Sequence, residues 1–207
     1  MNELILLCME MVGTVAFALS GAMTALRRQM DLLGVMILGL ITAVGGGVLR
    51  DLLLGITPPK IFDDPLTVSA AAFLPPLRGL LLRSTLLFER LLLWADSLGL
   101  AAFTVVGEQI AYSHLPEGSW FAVALLGTIT GVGGGVVRDS LAGNVPYIFR
   151  KHIYALAALA GAAVWVVCHL YWDDTAALLM GSTVVVAIRL LAAHFRWSLP
   201  KAKVPEG

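Results

Sequence analysis

One segment of the chain occurs twice. Residues 39–55 read GLITAVGGGVLRDLLLG and residues 127–143 read GTITGVGGGVVRDSLAG, identical at most positions. Each copy ends a run apolar enough to cross a bilayer, for which about 20 residues suffice as a helix. Weaker matches flank it. EMVGTVAFALSG at 10–21 is answered by DSLGLAAFTVVG at 96–107, and PKIF at 59–62 by PYIF at 146–149. The copies are separated by 86 to 88 residues throughout. One period therefore accounts for the chain to about residue 172.

Seven apolar runs are candidate spans, at 4–26, 32–54, 66–82, 91–113, 120–142, 153–172 and 175–193. The third contains Pro75, Pro76 and Arg78 and is expected to be kinked or short. With three spans per repeat, an odd number, the second repeat is upside down relative to the first. Such inverted repeats place a central site at their interface. The expected fold is all-α and integral to the membrane. It comprises two inverted three-helix repeats, about 4–88 and 91–172, plus a seventh helix at 175–193. These form one membrane domain over 1–195, followed by a basic tail at 196–207.

Composition agrees. The chain is 58% hydrophobic and 14% charged, with 14 basic and 14 acidic residues that cancel. That argues against a soluble enzyme, a disordered chain and a nucleic-acid binder, which is basic. With the motif arginines Arg50 and Arg138 and the in-span Arg78 and Arg189 set aside and the N-terminus outside, Arg27, Arg28, Arg83, Arg90, Arg150, Lys151, Arg196, Lys201 and Lys203 fall inside, and Lys60 falls outside. This is the positive-inside pattern. Omitting the third run and reversing the chain gives a poorer but still biased count, so the repeat decides for seven. The first run lacks a basic leader region and a small-residue cleavage site, so it reads as a retained span. Cys8 and Cys168 lie in apolar runs and read as small buried hydrophobes. No CxxC or Cys/His ligand spacing occurs, and the histidines are isolated. GxSxG, HExxH and a Walker lysine are absent, so the chain does not read as an enzyme.

Three adjacent glycines fall inside the second and fifth runs: Gly45, Gly46 and Gly47, then Gly133, Gly134 and Gly135. Each costs a helix interior about 1 kcal/mol relative to Ala. The triplets are expected to loosen or break the two helices, which membrane depth tolerates only against protein or a water-filled cavity. The competing reading is close helix packing. Arg50-Asp51 and Arg138-Asp139 follow at the same spacing. Charges at such depth need partners or water. Neighbours on a helix diverge by about 100°, the 3.6-residue turn, so the two need not pair with each other and inverted symmetry allows each a partner in the other repeat. They read either as a structural ion pair or interfacial charge that fixes the helix, or as a charge at a pore mouth or gate. Glu10 and Asp96 are an equivalent pair, set either to draw cations into a pathway or to cap the opposing Arg-Asp. Thr42 and Thr130 either line a polar path or bond back to their own helices. Glu108 and Arg189 have no repeat partner and read as snorkelling from helix ends.

The doubled GGGxxRD, the acid before GxxxF and the P-x-I-F ends of the repeats resemble the bacterial TRIC family, the trimeric intracellular cation channels. The similarity runs over about residues 5–195. It implies a homotrimer of seven-helix protomers, each with its own hourglass pore lined by kinked second and fifth helices. It implies permeation of monovalent cations, chiefly potassium, across a bacterial inner membrane, with the C-terminus cytoplasmic. Some bacterial relatives are instead described as glycine transporters, which makes a small amino-acid carrier the alternative. No cofactor is implied beyond permeant potassium or sodium and bound lipid.

Overall fold

The computed structural model describes residues 2–63, 85–150 and 153–197. The helices are α1 (Asn2–Arg27), α2 (Leu32–Leu53), α3 (Thr85–His114), α4 (Trp120–Leu141), the short α5 (Tyr147–Arg150), α6 (Tyr154–Tyr171) and α7 (Asp174–His194). A 3-10 turn covers Lys60–Asp63. Among the described residues, α1, α2, α3, α4, α6 and α7 are long and apolar enough to cross a membrane. The third expected span, with Pro75, Pro76 and Arg78, lies outside the described residues, as does the tail beyond Trp197.

The sequence punctuates these helices. Asp31 caps α2 by accepting from Gly34 N at 2.7 Å, and Asp173 caps α7 by accepting from Ala176 N at 2.7 Å. The far ends of α2 and α4 are built alike. Gly55 (φ 72°) and Gly143 (φ 66°) turn the chain in the left-handed region. Ile56 N then donates to Asp51 O, and Asn144 N to Asp139 O, both at 2.8 Å. This is the Schellman stop, which wants glycine at that place.

Small residues set the packing. A methyl group added to Gly46 would fall on the Thr130 carbonyl, and one on Gly134 would fall on the Thr42 carbonyl. Numbers rise along α2 as they fall along α4 (42 with 134, 46 with 130), so the two helices cross antiparallel. The same holds for α1 and α3, where Gly13 lies against Phe103 and Gly99 against Phe17. Both crossings exchange equivalent residues of the two repeats, so the repeats are related by inversion through a two-fold axis. Since α3 also runs antiparallel to α4, the end of α2 and the start of α3 lie on opposite faces of the bundle. An odd number of crossings per repeat produces that arrangement.

The glycines correct one expectation. Both α2 and α4 remain helical through their triplets. The helices are not broken, because close backbone contact between them offsets what glycine lacks in propensity. The bundle is inside-out in polarity: Leu32, Leu33, Phe121, Leu125 and Val167 face outward, while Arg50, Asp51, Asp96, Glu108, Arg138, Asp139 and Arg189 are buried. Cys168 is buried as expected, but Cys8 is exposed on the outer side of α1. Its apolar run is lipid-facing there, so hydrophobicity did not imply burial.

Candidate functional site

Each Arg-Asp dipeptide sits in the last turn of its helix, one at each face of the bundle. Of the readings left open, the adjacent side chains take the structural ion pair and bond to each other. Arg50 Nε and Nη2 donate to Asp51 Oδ1 at 2.9 and 2.7 Å. Arg138 Nε donates to Asp139 Oδ1 at 2.8 Å. The second carboxylate oxygen then takes a backbone amide of the returning chain: Lys60 N at 3.0 Å on Asp51, and Tyr147 N at 3.0 Å on Asp139. Long Arg stems fold back over the next residue, and the Schellman turn brings the P-x-I-F segment under the carboxylate. The dipeptide is thus a staple fastening helix end to return loop, and its arginine remains free to do more on its other edge.

The two half-sites use that edge differently. In the second repeat Arg138 Nη1 donates to Asp96 Oδ1 at 2.6 Å and to Ser20 Oγ at 2.5 Å. Asp96 also accepts from Arg189 Nη2 of α7 at 3.2 Å, with the Tyr154 hydroxyl 3.5 Å away. The Arg138 guanidinium lies over the Tyr147 ring at 5.3 Å, and that of Arg189 over Tyr154 at 4.7 Å. Arg138, Asp96 and Asp139 are at most 2% exposed. Two arginines and two aspartates balance, so this end is packed shut by a neutral network.

Among the described residues, Arg50 is the arginine that lines the corresponding half-site of the first repeat. There a cavity of about 180 Å³ opens between α1, α2 and the 3-10 turn. Its walls include Glu10, Thr14, Gly47, Arg50, Asp51 and Phe103. Lys60 borders it but is itself exposed. The described charged groups inside are the Glu10 and Asp51 carboxylates and the Arg50 guanidinium. Between the half-sites, the repeat-related rings of Phe17 and Phe103 meet at 5.4 Å on the two-fold axis.

The structure sorts the sequence-predicted residues accordingly. Gly45, Gly46, Gly133 and Gly134 form the α2–α4 crossing. Gly47 lines the cavity, and its mate Gly135 faces the Tyr154 hydroxyl. Asp96 serves the Arg-Asp unit of its own repeat, while Glu10 lines the cavity beside Arg50 and Asp51. Thr42 and Thr130 bond back to Leu38 O at 2.5 Å and Leu126 O at 2.6 Å, and are fully buried. Glu108 and Arg189 do not snorkel; both are at most 4% exposed. Ser20, Tyr147 and Tyr154 were missed. Tyr147 stood in the repeated P-x-I-F motif and was within reach of sequence reasoning. Ser20 and Tyr154 have no signal in spacing.

The fold and its paired half-sites define an all-helical multi-pass membrane protein built from inverted repeats. Comparison with known proteins names the family. A family model described as glycine transporter matches residues 7–75 and 93–170. The inner membrane protein YadS of Escherichia coli, of the group UPF0126, is 37% identical over 205 residues, covering 96% of each chain. A UPF0126 membrane protein of Deinococcus radiodurans is 39% identical over 204 residues, covering 96% of this chain and 92% of the other. A TRIC cation channel solved to explain conductance superposes with a TM-score of 0.84 at 36% identity, over 97% of this chain and 98% of that one. A prokaryotic TRIC channel crystallised in 0.5 M KCl gives 0.88 at 29% identity, over 95% and 100%. The chain belongs to the bacterial TRIC family.

Proposed function

We propose that this protein is a channel for monovalent cations, potassium foremost, with one pathway in each protomer of a homotrimer. The observation that carries the reading is the cavity of the first half-site, whose described walls include the Glu10 and Asp51 carboxylates beside the Arg50 guanidinium. Such a vestibule concentrates cations. The path onward meets the Phe17–Phe103 pair, an apolar constriction of the kind that gates by excluding water. Beyond it Asp96 is engaged by Arg138 and Arg189. The conformation is therefore a closed one. Opening requires the two rings to part and Asp96 to exchange an arginine for the permeant ion. The membrane is the bacterial inner membrane, with the N-terminus outside and the C-terminus cytoplasmic, as the distribution of basic residues requires. Solved relatives are themselves described as cation channels, one as trimeric.

A second reading rests on the same cavity. Its walls carry both signs of charge, which suits a zwitterion such as glycine. Flux in proteoliposomes separates the two. Potassium movement is followed with a potential-sensitive dye, and radiolabelled glycine uptake in parallel vesicles. Potassium current without saturable glycine uptake is the expected result. Saturable uptake with little conductance would overturn the channel and make the cavity a substrate site.

A further inference from the structure

Glu108 takes no part in the pathway described above. It is wholly buried on α3, and neither carboxyl oxygen has a hydrogen-bond partner within the protein. Its stem lies on Gly127 of α4, where any Cβ would collide with the Glu108 Cγ. Two more unpartnered polar atoms lie near this end of the bundle, Gln109 Oε1 and Trp165 Nε1. From here a polar thread leads outward. Gln109 Nε2 donates to Asp174 Oδ2 at 3.3 Å. Asp174 Oδ1 stands 2.7 Å from His169 Nδ1, though off the hydrogen-bonding direction. Side-chain exposure reaches 13% at His169 and 29% at Asp174. Tyr112, Trp120 and Trp165 enclose the imidazole, with ring centroids 4.3, 5.9 and 4.9 Å from it.

We infer that Glu108 is a proton-binding site, reached from the face that carries His169 and Asp174, and that release of its proton favours the open gate. An ionised carboxylate without a partner is strongly disfavoured at such depth, whereas a carboxylic acid packs against Gly127 at little cost. Among the described residues, no hydrogen-bond or ion-pair partner neutralises the charge. From Trp120 to Val137, α4 carries no titratable group. The other described titratable or charged groups at this end include Tyr112 and His114 on α3, Glu117 in the loop after it, Cys168, His169 and Tyr171 on α6, Asp173 and Asp174 at the start of α7, and Lys60 in the 3-10 turn. On α1 Glu3 and Cys8 are exposed and Glu10 faces the cavity, while Arg50 and Asp51 on α2 hold each other. Once charged, Glu108 must draw water or a cation into the α3–α4 contact. The helix it displaces is the one that continues through Gly133–Gly135 to Arg138.

The effect on flux rests on the channel reading; the proton site does not, and the test keeps them apart. Infrared difference spectra of the protein in lipid, acid against alkaline, are expected to show a carboxylic-acid band that is lost as pH rises and is missing in Glu108→Gln. Potassium flux into proteoliposomes is expected to rise with pH on the His169 face, by at most about tenfold per unit for one proton. Flux through Glu108→Gln is expected to be flat. Retention of the band, or of the wild-type pH profile, in Glu108→Gln overturns the inference. Gly127→Ala, which pushes on the Glu108 stem, is expected to move the midpoint of the spectral titration, and an unmoved midpoint counts against it. A normal band with no flux at any pH sinks the gating claim with the channel reading and leaves the proton site standing.

Discussion

The triple glycines give a test in which neighbouring positions should respond with opposite sign. A methyl group at Gly46 would fall on the backbone carbonyl of Thr130, which cannot rotate away as a side chain can. Overpacking of this kind costs about 1–3 kcal/mol, and a backbone obstacle places it toward the upper end. Against that stands a propensity gain of about 1 kcal/mol for Ala over Gly. The balance for Gly46→Ala is a loss of about 1–2 kcal/mol. At Gly45 the same methyl would sit 3.6 Å from Gly134 Cα and 3.8 Å from Val137, in ordinary contact. Gly45→Ala therefore keeps its gain, about 0.5–1 kcal/mol. Thermal unfolding of the purified protein in detergent, read as the monodisperse fraction against temperature, compares the two. The expected order of midpoints is Gly45→Ala, wild type, Gly46→Ala. If both alanines raised the midpoint, the glycines would be loosening their helices and the crossing argument would be wrong. Leucine at Gly46 and Gly134 together is a folding lesion by the same reasoning, so lost flux in that double variant says nothing about a pore.

Other outcomes follow from the half-sites. Asp96→Asn leaves Arg138 and Arg189 buried beside a neutral amide, and is expected to cost about 3–5 kcal/mol, read as a lowered unfolding midpoint. Arg189→Gln removes one of the two clamps on Asp96 while sparing the 2.6 Å Arg138 pair. Potassium flux in proteoliposomes is expected to rise, and unchanged or lower flux speaks against a clamp. Glu10→Gln removes a carboxylate from the open vestibule, and potassium flux is expected to fall most at low ionic strength, where steering is least screened. Loss that is independent of salt would point to blockage or misfolding instead.

The repeat made most of the fold legible. Matched motifs set the period, and an odd number of spans per unit implied an inversion, which the 42–134 and 46–130 contacts display. Spacing did not reveal what glycine was for. A residue without a side chain weakens a helix in isolation, yet it is what a neighbouring backbone needs in order to approach, and only the neighbour decides between these uses. Spacing also left open how the Arg-Asp units would pair. The 100° between adjacent residues ignores a long, flexible arginine stem that can fold over the next position. Arg189 and Glu108 looked like surface charges because hydropathy averages over a helix and cannot see which side of it faces inward. Ser20 and Tyr154 meet their partners only through tertiary packing, and a serine or a tyrosine in an apolar run carries no mark of that.

The two-fold axis also decides how the protein feels voltage. A potential across the bilayer pushes Arg50 and Arg138 in one common direction, with up to about 2.3 kcal/mol per charge for each 100 mV traversed. Because inversion points the two helix ends oppositely, that push drives one arginine toward the waist and draws the other from it. In a molecule with identical halves the two effects would trade places on reversing polarity, and the current would not rectify. Here α7 ties down one half through Arg189, and no described residue of α7 lines the vestibule of the other. Polarity therefore matters. Current through single protomers should be larger for the sign of voltage that pulls Arg138 away from Asp96, and replacing Arg189 should bring the two directions closer to equality.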